Sequence, residues 1–173
     1  AKFFYSQLKS PAGRVGLQYL LERGLTPETI KKYGLGFAED KWTTLTNYML
    51  SEGFTEDELV ISGLCGRSKS GRVFDVFRNR VIFPIIDLRG NVIAFGGRLL
   101  SGEGPKYLNS SDTPVFKKSR NLFSLNFAKT SNEKRLILAE GYMDVIAINQ
   151  AGFSNVVATL GTALTPEQAR LMS

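Results

Sequence analysis

Residues 80–97 constrain the fold more than any other stretch of this chain. Arg80-Val-Ile-Phe-Pro-Ile-Ile86 and Val92-Ile-Ala-Phe-Gly96 are short runs of β-branched and aromatic residues, joined through Asp87-Leu-Arg-Gly-Asn91. Runs of this length and composition fill strands, and a short polar link containing glycine folds them back antiparallel. Pro84 has no N–H to give to a ladder, so it marks an edge or a bulge. Gly96-Gly97 inside a strand pattern predicts a bulge or the close approach of another backbone. Two further strand candidates flank the Ser68–Gly71 turn, so an antiparallel meander is expected from about Leu64 onward.

The flanks have different textures. From Ala12 to about Ser62 the chain reads as helical: Leu17, Leu20 and Leu21 recur at helical spacing before a stop at Gly24-Leu25. Thr26-Pro27-Glu28 is a cap, a first-turn proline and a first-turn acid for a helix running through Ile30 to Tyr33. A third helix is expected near Trp42–Glu52, with Trp42 as its core anchor, and a fourth begins at Thr55. The last third changes again. Arg135-Leu-Ile-Leu-Ala is a strand ending at Glu140-Gly141; a helix to Gln150, the strand Asn155-Val-Val-Ala-Thr159 and a helix capped at Thr165-Pro166-Glu167 follow. That β-α-β-α order predicts parallel pairing. The fold class is therefore α+β leading into α/β, with a basic mixed part over 1–130 and a short parallel unit over 131–173. Two parallel strands are few for an independent sheet, so the sequence reads as a fragment.

Composition removes several functions. The 173 residues hold one cysteine, Cys65, and no histidine, so a disulfide, a Cys/His zinc site and a histidine relay are all excluded within this sequence. Any metal bound here must be a hard cation on carboxylates. No apolar run approaches the ~18 residues that span a bilayer. Twenty-two Lys+Arg against sixteen Asp+Glu give a net charge of +6, which favours polyanionic partners.

The chemistry-bearing candidates lie in three groups. Glu140 sits where a strand ends and a helix begins, the edge at which open α/β sheets bind ligands, and Asp144 follows one helical turn later. The pair can hold a divalent metal or serve as a base near a phosphate; alternatively both acids complement the helix dipole. Thr159-Leu-Gly-Thr162 shares that edge and could receive a phosphate, although alone it reads as an ordinary strand–turn–helix link. A basic series, Arg78, Arg80, Arg98, Lys106, Lys117, Lys118 and Arg120, is interleaved with Phe77, Phe83, Phe95, Tyr107, Phe116 and Phe123. Cations with aromatic faces suit a single nucleic-acid strand. The phenylalanines read as core, whereas Arg98, beside the glycine pair, reads as a binding residue. Cys65 has no activating partner and no expected catalytic role.

Taken in order, Arg80-Val-Ile-Phe-Pro-Ile, Val92-Ile-Ala-Phe-Gly-Gly-Arg98, Pro105-Lys-Tyr-Leu-Asn-Ser110, Phe116-Lys-Lys118, Glu140-Gly-Tyr-Met-Asp144 and Ala158-Thr-Leu-Gly-Thr-Ala-Leu-Thr165 resemble the successive motifs of the RNA-polymerase domain of bacterial DnaG-type primases. The resemblance implies a nucleotidyltransferase that copies single-stranded DNA into short RNA primers from nucleoside triphosphates, using Mg²⁺ or Mn²⁺. It implies a mixed α/β subdomain leading into a Toprim subdomain. Glu140 and Asp144 would be the catalytic acids, Glu140 beside the metal, and Arg23, Arg98, Lys106, Tyr107, Asn109 and Lys118 would contact template or nucleotide. It further implies a bacterial cytoplasmic setting, a monomer, and a replicative helicase as partner through a C-terminal domain outside this sequence.

The sequence also departs from that family. Toprim domains continue to an Asp-x-Asp strand, and the only aspartates after Asn109 are Asp112 and Asp144. The zinc-binding domain of the family, with its zinc, is likewise outside this sequence. Inability to extend a primer alone is therefore expected. Two rival readings stand beside the primase: another Toprim enzyme, topoisomerase or nuclease, and a module that only grips single-stranded nucleic acid.

Overall fold

A computed structural model describes residues 1–161 and 163–172. The chain opens with helices α1 (Lys2–Lys9), α2 (Arg14–Glu22) and α3 (Pro27–Tyr33). Helix α2 stops where expected: Gly24 adopts φ +79°, and the Leu25 N–H reaches back to the Leu20 carbonyl. Thr26 Oγ1 accepts the Thr29 N–H at 3.2 Å and starts α3. The next segment is not helical as expected but a strand, β1 (Gly36–Ala38), before α4 (Thr44–Ser51) and α5 (Glu56–Ile61). Three residues are too few to carry a period, and β1 exists because β4 supplies its ladder. Helix α5 has a full capping box between Thr55 and Glu58.

The middle of the chain is the predicted meander. β2 (Cys65–Arg67) and β3 (Val73–Asp75) form a small hairpin, while β4 (Arg80–Ile86), β5 (Val92–Leu99) and β6 (Tyr107–Asn109) join β1 in an antiparallel sheet of order β1-β4-β5-β6. β4 is thus central, and Pro84 survives there for a local reason. Both the N–H and the carbonyl of its partner Phe95 are bonded to Ser110, so the Pro84 nitrogen points toward β1. That pairing has already ended at Gly36↔Ile82, so Pro84 removes no hydrogen bond. The register shift lies one residue later, between Ile85 and Ile86.

The glycine pair admits side chains, not another backbone. A Cβ on Gly96 would come 2.4 Å from the Tyr142 ring, and one on Gly97 would come 2.7 Å from Phe77 and 2.9 Å from Arg80. The short helix α6 (Leu125–Ala128) precedes β7 (Ile137–Ala139), α7 (Tyr142–Gln150), β8 (Val156–Ala158) and α8 (Pro166–Met172). β7 and β8 pair in parallel as expected, and Phe123 bridges β8 on its other side through two backbone bonds with Ala158. One hydrophobic cluster runs from Leu8, Leu20 and Tyr33 through Phe83 and Phe123 to Tyr142, Ile146 and Leu160. The helical start and the parallel unit therefore share a core with the sheet between them.

Trp42 is a correction. Its ring is 62% exposed, not a core anchor. It precedes α4 and makes edge-on contact with Phe74.

Candidate functional site

The acidic residues line a cleft of about 430 Å³. β7 ends at Ala139, Gly141 turns the chain in extended conformation, and α7 begins at Tyr142. Glu140 and Asp144, both exposed, line the cleft together with Thr159 and Gly161 from the turn after β8. Gly161 adopts φ +76°, which a side-chain-bearing residue takes only at a cost. Thr162 lies outside the described residues.

Cations and tyrosines from other elements line the same cleft: Tyr19 and Arg23 from the end of α2, Arg98 from β5, and Lys106, Tyr107 and Asn109 at β6. Arg98 Nε donates to the Tyr19 hydroxyl at 3.1 Å, and its guanidinium lies 5.7 Å from the Tyr19 ring and 5.3 Å from the Tyr107 ring. Arg23 lies 5.3 Å from the Tyr19 ring. Stacking between aromatic faces holds a guanidinium in one orientation while leaving its edge for an anion. None of Arg23, Arg98 and Lys106 is ion-paired with a carboxylate among the described residues. Burial, and the neighbouring Tyr19, push the Tyr107 phenol above its ordinary value, so it stays neutral beside the guanidinium.

The helix α7 fixes this cleft from both ends. Tyr142 donates to Asn109 Oδ1 at one end. At the other, Gln150 Oε1 accepts the Thr26 N–H at 2.9 Å and its Nε2 donates to the Gly24 carbonyl at 2.8 Å, directly after Arg23. Lys32 Nζ adds a 2.6 Å bond to Asn149 Oδ1.

Other sequence candidates lie elsewhere. Lys118 does not line the cleft: it opens a 3-10 turn, its N–H donating to Asp112 Oδ1 and its carbonyl accepting from Gln168. Arg80 is only 5% exposed and donates to the carbonyls of Gly97 and Pro105, so it anchors the loop that leads to Lys106. The five phenylalanines named above are buried, as expected. Cys65 is buried against the Thr46 hydroxyl at 3.3 Å, and burial pushes its thiol up.

One pair was missed by the sequence reading. The Arg78 guanidinium lies 3.9 Å from the centroid of the exposed Trp42 ring and 5.8 Å from Phe74. Polar neighbours on both sides, Lys41 and Thr43-Thr44, were the available signal that Trp42 faces solvent.

Residues 3–129 match the family model described as the DNA primase catalytic core, N-terminal domain. The chain belongs to this family. Residues 134–173 match a Toprim domain. DNA primase from Clostridium acetobutylicum is 49% identical over 173 residues, covering 99% of this chain and 28% of that protein. The primase of Pseudomonas aeruginosa is 44% identical, covering 98% of this chain and 26% of its own length. The chain thus spans about a quarter of these curated relatives. Among solved structures, the Escherichia coli primase catalytic core superposes with a TM-score of 0.92 at 40% identity, covering 99% of this chain and 55% of that one. A DnaG primase catalytic domain bound to single-stranded DNA superposes with a TM-score of 0.91.

Primase and Toprim families use divalent metal in general. The donor chemistry here fits such an ion: two exposed, hard carboxylates line the same cleft. No group of three or more His, Cys, Asp or Glu gathers among the described residues.

Proposed function

We propose that this chain is the template- and nucleotide-holding part of a primase, which joins nucleoside triphosphates into a short RNA primer on single-stranded DNA. One observation carries the reading: two carboxylates and three cations without carboxylate partners, brought from different elements, line the same cleft. That arrangement suits a triphosphate with a divalent ion. Phosphoryl-type transfer asks little covalent work of a protein and much positioning and charge.

In this reading Arg98, Lys106 and Arg23 hold the negative charge of triphosphate and template, with the tyrosines fixing the guanidiniums. Glu140 and Asp144 would hold the metal, Mg²⁺ or Mn²⁺, which when bound would supply Lewis-acid stabilisation of the charge on the phosphate oxygens. The primer's 3′-hydroxyl oxygen bonds to the α-phosphorus and gives up its proton to solvent as the α–β phosphoanhydride bond breaks and pyrophosphate leaves. The Trp42–Arg78–Phe74 platform, outside the cleft, suits a base of the template: an aromatic face stacks it and the guanidinium carries the adjacent phosphate. Residues 1–130 then act as the basic subdomain and 131–173 as the opening of the Toprim subdomain. A single-stranded template, an RNA primer product, a helicase partner and a cytoplasmic setting belong to the same proposal; no helix among the described residues is long and apolar enough to cross a membrane. Lys118 retains a place in it only as a residue outside the cleft, meeting template beyond the nucleotide.

The test is fluorescence anisotropy of labelled single-stranded and duplex DNA over a salt series, for the chain and for Trp42→Ala and Arg98→Ala. The reading expects preference for the single strand, a steep loss with salt, and weaker binding in both variants. Equal binding of both DNAs, with neither substitution mattering, overturns it. Primer synthesis by the chain alone, with template, triphosphates and metal, would overturn the expectation that two carboxylates do not suffice.

A further inference from the structure

The start of α7 is fastened to the antiparallel sheet through one side chain. Tyr142 is 6% exposed. Its ring lies nearly parallel to Phe83, with centroids 4.9 Å apart at 11°, and edge-on to Phe123 at 4.7 Å. Beneath it is Gly96, where any Cβ would stand 2.4 Å from Cζ and Oη. The ring therefore has one seat, and the seat aims the hydroxyl at Asn109.

Asn109 is used at both ends. Its Oδ1 accepts the Tyr142 hydroxyl, and its Nδ2 donates to the Leu160 carbonyl at 2.8 Å. A flipped amide would set its oxygen against the Leu160 oxygen, so the amide has one orientation. Gly161 follows closely enough that a Cβ there would come 3.1 Å from Asn109 Nδ2. Three elements that line the cleft meet at this amide: the acid-bearing start of α7, the β6 edge carrying Lys106 and Tyr107, and the turn after β8. At most one N–H of Asn109 is left for anything bound in the cleft.

We infer that the Tyr142 hydroxyl is a positioning group: through Asn109 it sets the separation between Glu140 and Asp144 on one side and Lys106 and Tyr107 on the other. The inference rests on the nucleotide-holding reading above and adds to it a residue whose role is geometry, not contact. Glu140 and Asp144 stand two positions either side of Tyr142, so a shift of this ring moves both acids. Replacing tyrosine by phenylalanine keeps the ring in its seat and removes only the O–H.

The experiment measures binding of ATP with Mn²⁺ by titration calorimetry for the chain, Tyr142→Phe, Asn109→Ala, the double variant and Arg98→Ala. Side-chain amide signals of Asn109 are followed by NMR in the chain and in Tyr142→Phe. The expected result is an affinity loss of about tenfold in Tyr142→Phe, comparable to removing a hydrogen bond that orients a binding group. The Asn109 amide pair shifts in that variant, and Tyr142→Phe has little further effect once Asn109 is alanine. If Arg98→Ala loses affinity while Tyr142→Phe keeps both affinity and amide signals, the hydroxyl is only packing and the inference falls. If the unaltered chain binds no ATP, or Arg98→Ala is without effect, the nucleotide-holding reading falls instead.

Discussion

Substituting alanine for Gly96 tests the joint between sheet and α7 most directly. Gly96 sits in β5 with ordinary negative φ, so alanine costs the backbone nothing and would ordinarily favour the strand. The cost comes from above: the new methyl would lie 2.4 Å from Tyr142 Cζ and Oη, where carbon contacts settle near ~3.6 Å, so the ring must move by about 1.2 Å. Phe83 and Phe123 close its other sides, and both are fully buried, so the movement cannot be absorbed. Overpacking of this kind costs about 1–3 kcal/mol, and losing the Tyr142–Asn109 bond adds about 1 kcal/mol. A total near 3 kcal/mol lowers Tm by roughly 6–12 °C in a chain of this size. The assay is thermal unfolding by circular dichroism of Gly96→Ala, Tyr142→Leu and the double variant. The narrower leucine should accept the methyl, so the double variant is expected to lose about 1 kcal/mol less than the sum of the singles. Gly96→Ala melting within a degree of the parent, or strict additivity, refutes the close-packed joint.

Three further outcomes follow from side chains described above or from their neighbours. Thr55→Ala removes the first half of the α5 capping box and should destabilise the chain by about 1 kcal/mol in urea unfolding, whereas Thr55→Ser should restore most of it. Because burial pushes the Cys65 thiol up, its alkylation by iodoacetamide at pH 8 should be roughly a hundredfold or more slower folded than in urea; equal rates would place the thiol at the surface. Burial lifts the Tyr33 phenol from 10.0 to about 12, against a smaller opposing effect of its Ser124 hydrogen bond. The protonated phenol therefore contributes stability that is fully present below about pH 10 and lost as pH rises through about 12. Urea midpoints measured from pH 8 to pH 11.5 should fall over the upper part of that range and fall less in Tyr33→Phe.

What could be read from residues and what could not divides along physical lines. The β4–β5 hairpin, the α2 stop and the α3 and α5 caps announced themselves because each depends on nearby residues: turn chemistry, a left-handed glycine, a threonine three positions before its donor. The strands β1 and β6 did not, since each is three residues long and owes its existence to a partner far away in sequence. The cleft was half legible. Glu140, Asp144, Arg98 and Lys106 carry the residue types that charge chemistry needs, but nothing in the order of residues says that Arg23 lines the same cleft. The same limit misplaced Trp42, whose hydrophobicity suggested burial while its exposure follows from the packing of β3 and Arg78. Lys118 and Arg80 show the converse: a cation in a basic series can spend its bonds, or its backbone, on the fold. The paired glycines promised a bulge or another backbone and instead received side chains, the Tyr142 phenol at Gly96 and Phe77 with Arg80 at Gly97.

The two fastenings of α7 give that helix a gauge. Nine residues rising about 1.5 Å each separate the Tyr142 clamp from the Gln150 clamp by roughly 12 Å, and each residue turns the helix by about 100°. Adding or deleting one residue would rotate one end away from its partner, so that Asn109 and the Gly24–Thr26 backbone could no longer be met together. Insertions should therefore be tolerated in the 101–105 and 129–135 connections, where the backbone is largely exposed, but not within Tyr142–Gln150. The length of one short helix, more than any single charge, sets how far Asn109 at β6 stands from Gly24–Thr26 after α2, and with them how far Lys106 stands from Arg23 along the cleft.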